Sequence, residues 1–154
     1  MDLILWRHAE AHDLREGESD DLARTLTPKG ERNAVRMAHW LNQVLPATTR
    51  ILVSPAVRTQ QTAAALERKF KTVAALAPEG TVDAVLDVAR WPEAREPVLV
   101  VGHQPTLGLA AAYLLSGTAQ PWSIRKGAVW WLRCKDKDGH QQVTLLTVQS
   151  PSLL

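Results

Sequence analysis

Leu3-Ile4-Leu5-Trp6-Arg7-His8-Ala9 is the run that decides how this chain folds. Its apolar half suits a strand covered on both faces, as in a parallel sheet between helices. Arg7 and His8 then end the run, so two polar side chains stand where a buried strand surfaces. The same grammar returns twice: Ile51-Leu52-Val53 runs into Ser54-Pro55, and Val98-Leu99-Val100-Val101 runs into Gly102-His103.

Helical patterns separate these runs. Thr27-Pro28 supplies an N-cap hydroxyl followed by proline at the first helical position. Ala34, Met37, Ala38, Leu41 and Leu45 follow at helical spacing, and Pro46 stops the helix. Ser54-Pro55 repeats the start signal and predicts a helix to about Phe70. Val73 to Leu76 reads as a short strand, and Thr81 to Trp91 as a helix. Pro105 opens another helix to about Leu115. Ala128 to Cys134 and Gln142 to Val148 read as strands, and Asp138-Gly139 between them marks a hairpin. Ala9 to Arg24 is a long polar loop, of the kind that often carries function. Strands alternating with helices predict an α/β fold. The expected architecture is a three-layer α/β/α sandwich in a single domain, residues 1–154. Its central sheet is mainly parallel, with at least one antiparallel strand from the final hairpin.

Composition narrows the function classes. The 154 residues are 45% hydrophobic and 22% charged, an ordinary globular balance. Eighteen basic against 16 acidic residues leave +2, too little to argue for nucleic acid. The single cysteine, Cys134, excludes an internal disulfide framework and a cysteine-based metal site. The opening residues do not resemble a signal peptide, and no apolar run is long enough to span a membrane; Leu107 to Leu115 reads as a buried helix. The expectation is a cytoplasmic monomer.

Open α/β sheets bind ligands beyond the carboxyl ends of their strands. If the three runs are parallel neighbours, Arg7, His8, Ser54 and His103 converge on one edge, with Arg58 reaching in from the first turn of the following helix. Helix N-termini there add N–H groups and a partial positive field. Each residue taken singly has a bland reading, as a surface turn, a solvated arginine or a turn cap. Their joint placement argues for a site that binds a phosphate- or sulfate-type anion.

These residues resemble the motifs of the histidine phosphatase superfamily, the phosphoglycerate mutase-like proteins. Leu3 to Ala9 is similar to its opening motif, whose strand ends in Arg-His-Gly or Arg-His-Ala. Ser54-Pro55-Ala56-Val57-Arg58 through Thr62 resembles its second motif, and Val101-Gly102-His103-Gln104-Pro105 its third. The resemblance covers Met1 to about Leu115. Within the superfamily the chain looks most like the short SixA-type phosphohistidine phosphatases. Ala9, the short length and the segment Asp21-Leu22-Ala23-Arg24-Thr25-Leu26-Thr27-Pro28-Lys29-Gly30 carry that likeness; Thr25 stands where most members have proline.

The resemblance implies His8 as a nucleophile forming a phosphohistidine, with Arg7, Arg58 and His103 holding the phosphoryl oxygens. It implies no cofactor and no metal, and His12, His39 and His140 lie apart from the motifs. Ser54, Thr62 and Gln104 are candidate substrate-binding residues, although Gln104 could instead cap the following helix. A general acid is open among Glu79, Asp21 and Glu10, with Asp20 a further loop carboxylate. SixA-like members generally lack the conventional acid, and a phosphoramidate loses its imidazole with less help than an ester loses an alkoxide. The implied substrate is a phosphohistidine-bearing protein. The alternatives are a small phosphorylated substrate, as for a phosphomonoesterase, or phospho-ligand binding without catalysis.

Overall fold

The computed structural model describes residues 1–154. Strands β1 (Asp2–Arg7), β2 (Arg50–Val53), β3 (Lys71–Thr72), β4 (Val98–Gly102), β5 (Val129–Lys137) and β6 (His140–Gln149) form one sheet in the order β3-β2-β4-β1-β5-β6. β1 and β2 flank β4 in parallel, and β3 continues the parallel set; β5 runs antiparallel to β1 and to β6. The α/β sandwich expected from the strand–helix alternation is the observed fold.

The pleat of β1 sorts the core. Leu3, Ile4, Leu5 and Trp6 are fully buried, and successive side chains point to opposite faces. Ile4 and Trp6 join Ile51, Val53, Leu99 and Val101 against helices α1 (Pro28–Val44) and α2 (Val57–Ala64). Leu3 and Leu5 join Leu52, Val98 and Val100 against α3 (Val82–Ala89) and α4 (Thr106–Ser116). Each fully buried aliphatic side chain contributes about 1.5–3 kcal/mol. Trp131 is in the first layer and Trp130 packs half-buried against the second, as their adjacent strand positions require. No helix is long and apolar enough to cross a membrane.

Local signals set most boundaries. Thr27 caps α1 by accepting from Gly30 N–H at 3.0 Å. Asp138 and Gly139 take φ of +53° and +79°, the left-handed pair that closes a two-residue hairpin. Three expectations fail. α2 begins at Val57 with Ala56 at its N-cap and no side-chain cap bond, so Ser54-Pro55 does not start it. α2 stops at Ala64 instead of running to Phe70. The chain tightens through Leu66 N→Ala63 O and Glu67 N→Ala64 O bonds, and Glu67 adopts φ +55°. This turns Leu66 into the core, where Asn42 Nδ2 holds its carbonyl at 3.0 Å. Burial there outweighs the helical propensity of Ala-Leu-Glu-Arg-Lys. The short strand is Lys71–Thr72, not Val73 to Leu76. Residues Ala74–Leu76 form a 3-10 turn that buries Leu76 against the second layer.

Candidate active site

Strand register builds the site. Arg7 pairs with Gly102, and Val53 pairs with Val101, so β1, β4 and β2 end together. The ladder continues one step beyond, with His8 N donating to Gly102 O and Ser54 N to Val101 O, each at 3.1 Å. His8, Ser54 and His103 therefore leave three adjacent parallel strands at one edge. The His8 and His103 rings stand 5.4 Å apart, centre to centre.

Backbone contacts fix the His8 ring. Its Nδ1 is 2.7 Å from the Ala9 carbonyl oxygen. A carbonyl only accepts, so Nδ1 carries the proton and Nε2 keeps a free lone pair. Burial pushes the His8 pKa down to about 4; the Ala9 carbonyl opposes the shift, and the cations of Arg58, Arg7 and Arg24 reinforce it. Burial, with Arg58, also lowers His103, to about 3. Ser54 Oγ, fully buried, accepts from Ala56 N–H and lies 2.7 Å from His103 Nε2. Its hydroxyl hydrogen has no other acceptor, so it goes to Nε2 and the neutral ring is protonated on Nδ1.

Main-chain and carboxylate oxygens anchor the two cations. Arg7 Nη1 donates to Ile124 O at 2.9 Å. Arg58, 4% exposed, donates from Nη1 to Asp21 O at 2.7 Å and from Nη2 to Asp21 Oδ2 at 3.0 Å. Four buried side-chain nitrogens in the protein lack a hydrogen-bond partner, and three of them are Arg7 Nε, Arg58 Nε and His103 Nδ1. Buried donors are nearly always satisfied. The three sit on residues at or just past the ends of β1 and β4 and in the first turn of α2, and each is chemically suited to an oxyanion.

The remaining candidates have other tasks. Gln104 holds two structural bonds: Nε2 donates to Trp122 O and Oε1 accepts from Gly108 N–H, both at 2.7 Å. It caps α4 and ties down the loop before β5. Thr62, fully buried, donates to Arg58 O and accepts from Ala9 N–H. It braces the chain just after β1 against α2. Ser54 acts on His103 in the same indirect way. Among the carboxylates, Asp21 is buried enough to raise its pKa, but hydrogen bonds from Arg24 and Arg58 outweigh that and lower it. An ion-paired carboxylate has no proton to give at neutral pH. Glu10 accepts from Thr27 Oγ1 at 2.9 Å, and Glu79 is solvent-exposed. Asp20 accepts from Leu22 N–H, capping the 3-10 turn that presents Asp21.

Some parts of the site carried no assigned role in the sequence. Arg24 pairs with Asp21 at 3.0 Å and so steadies the partner of Arg58. The Asp21-to-Arg24 spacing was the available signal. Trp6 Nε1 donates to Gly127 O at 3.0 Å, fixing the loop whose Ile124 holds Arg7. Gly30 is required because a Cβ there would collide with the Glu10 carbonyl. A cleft of about 780 Å³, lined by Arg50 and Arg90 to Glu96 near the opposite strand ends, includes none of these residues.

The lowered histidine pKa values have a measurable consequence. His8 should titrate near 4 in imidazole NMR of the free protein, and a transition near 6.5 would contradict the burial argument. Both folded values lie below the ordinary 6.5, so the unfolded chain binds more protons as pH falls through 6.5. Stability from these two groups is therefore full above 6.5 and declines toward pH 4 and below.

Comparisons with known proteins point to one family. The family model of the histidine phosphatase superfamily (branch 1) matches residues 3–79. A phosphohistidine phosphatase SixA homolog of Haemophilus influenzae is 31% identical over 98% of this chain and 97% of that protein. Phosphohistidine phosphatase SixA of Escherichia coli is 32% identical over 79% of this chain and 78% of its own. The solved structure of the protein histidine phosphatase SixA complexed with tungstate superposes with a TM-score of 0.77 at 27% identity, covering 99% of both chains.

Proposed function

The chain belongs to branch 1 of the histidine phosphatase superfamily, and on that premise we propose that it dephosphorylates phosphohistidine on a protein, through a phosphohistidine of its own at His8. The observation that carries this reading is the set of three unsatisfied buried donors beside a histidine whose Nε2 lone pair is free.

In the first step His8 Nε2 attacks phosphorus, the new N–P bond forms, and the bond to the leaving group breaks with its electron pair. Arg7 Nε, Arg58 Nε and His103 Nδ1 hold the three equatorial oxygens. Stabilising that charge and aligning the attack supply most of the rate. In the second step water attacks phosphorus, His8 departs with its electron pair, and inorganic phosphate forms. Splitting the displacement this way replaces one hard step by two easier ones. His8 is ready without a base, because burial already keeps it neutral.

The leaving group is where the carboxylates matter. Asp21 is held ionised by Arg58 and Arg24, Glu10 is bonded to Thr27, and Glu79 stands in solvent. An alkoxide needs a placed acid to depart. A phosphorylated imidazole can be protonated by water on its other ring nitrogen and then leaves as a neutral ring. The site therefore favours N–P over O–P cleavage, in line with the names of the relatives.

The test is a side-by-side assay of a phosphohistidine protein, a phosphohistidine peptide and small phosphate esters. Higher kcat/KM for the phosphohistidine substrates supports the reading; preference for the esters overturns it in favour of a small-molecule phosphomonoesterase. A second expectation concerns stability. Tungstate or phosphate at a hundredfold excess over Kd adds about 2.7 kcal/mol, which raises Tm by roughly 5–10 °C in a domain of this size. Arg58→Ala should abolish most of that shift in a thermal melt.

A further inference from the structure

We infer that a basic groove, formed in part by the loop that anchors the Arg7-His8 backbone, receives acidic side chains flanking the phosphohistidine of a protein substrate, an assignment that rests on the function proposed above. The groove, about 230 Å³, is lined by Lys29, Arg36, Arg125 and Lys126 together with Asn33, Pro151 and two serines. Its cations come from distant segments: Lys29 and Arg36 from α1, Arg125 and Lys126 from the loop between α4 and β5. All four are exposed. No aspartate or glutamate lines the groove, and none of the four cations forms an ion pair.

That asymmetry is informative in a chain whose net charge is only +2. Charges of one sign gathered without counter-charges repel one another and focus a field on whatever approaches. Such patches chiefly steer and select partners of opposite charge. The lining offers no aliphatic or aromatic wall beyond Pro151, so the ligand it fits is anionic and polar.

The groove is mechanically continuous with the site. Ile124 O accepts from Arg7 Nη1 at 2.9 Å, and Gly127 N donates to His8 O at 3.0 Å. Arg125 and Lys126 lie between those two anchors. Gly127 packs so closely on Pro151 that a Cβ there would stand 3.1 Å from Pro151 Cγ. The loop that fixes the Arg7-His8 backbone thus also presents two of the four cations. A small phosphoramidate occupies only the phosphoryl site; a protein segment extends past it and meets the groove.

The test uses three substrates: phosphoramidate, a phosphohistidine peptide with aspartates and glutamates around the modified residue, and the same peptide with asparagines and glutamines. Two variants are compared with the wild type, Lys29→Glu/Arg36→Glu and Arg125→Glu/Lys126→Glu. The wild type should favour the acidic peptide at least tenfold in kcat/KM at low salt, chiefly through KM, and lose that preference as salt rises. Each variant should bring the ratio of acidic to neutral peptide close to one while hydrolysing phosphoramidate like the wild type. Equal handling of both peptides by the wild type overturns the assignment and leaves the phosphatase reading standing. A uniform loss on all three substrates in the variants overturns it as well, because it marks damage to the fold or the phosphoryl site. If the wild type hydrolyses none of the three, the function fails and the groove assignment falls with it.

Discussion

His8→Asn should lower kcat on the order of 10⁴–10⁶-fold, the scale on which removing a nucleophile acts. The substitution is chosen for its geometry. An asparagine amide can still donate to the Ala9 carbonyl, which the His8 ring meets at 2.7 Å, so the local fold keeps its anchor. What disappears is Nε2 and its lone pair. The pocket stays filled and its cations stay in place, and the variant should still bind tungstate. Loss of turnover with retained oxyanion binding separates a missing nucleophile from a collapsed site. The variant should also lose part of the stability decline below pH 6.5, because His8 no longer titrates from a depressed value. Steady-state assays, a binding titration and melts at two pH values check the three parts. Activity within tenfold of wild type would remove His8 from the mechanism.

Arg58→Ala should cost about 10²–10³-fold in kcat, the typical effect of deleting one preorganised donor to a developing charge. Arg58→Lys should recover only part of it, because a point charge cannot both meet Asp21 through two nitrogens and keep Nε directed at the phosphoryl group. A second readout distinguishes this role from structural support. Arg58 lowers the pKa of His8 and is, after burial, the largest cause lowering His103. Removing it should raise both values toward 6.5, which imidazole NMR would register. An unchanged titration with normal turnover would mean that the guanidinium serves Asp21 and the 3-10 turn, and not the reaction.

The legible features were those written locally in the sequence. β1 could be read because burial on both faces leaves an unbroken apolar run, and α1 because Thr27-Pro28 carries its own cap. The convergence of Arg7, His8, Arg58 and His103 followed from three such runs ending in polar residues, once their strands were taken as parallel neighbours. The features misread or left open depend on contacts that residue identity does not show. The end of α2 is set by Asn42, 24 residues from Leu66. The state of Asp21 is set by Arg58, 37 residues away, which turned a candidate acid into an ion-paired anchor. Gln104 is held by Trp122 and Gly108, neither of which its motif announces. The His8 tautomer rests on a main-chain carbonyl, and a carbonyl leaves no trace in residue identity.

The central claim is that the phosphoryl group passes through His8. Rapid mixing with phosphoramidate, quenching in alkaline denaturant during the first turnover and peptide mapping by mass spectrometry test it directly. The account predicts a phosphoryl adduct on the peptide that begins at Met1 and contains His8, formed as fast as the first turnover and absent from His8→Asn. Turnover without an adduct on that peptide, or an adduct on another residue that persists in His8→Asn, would contradict it.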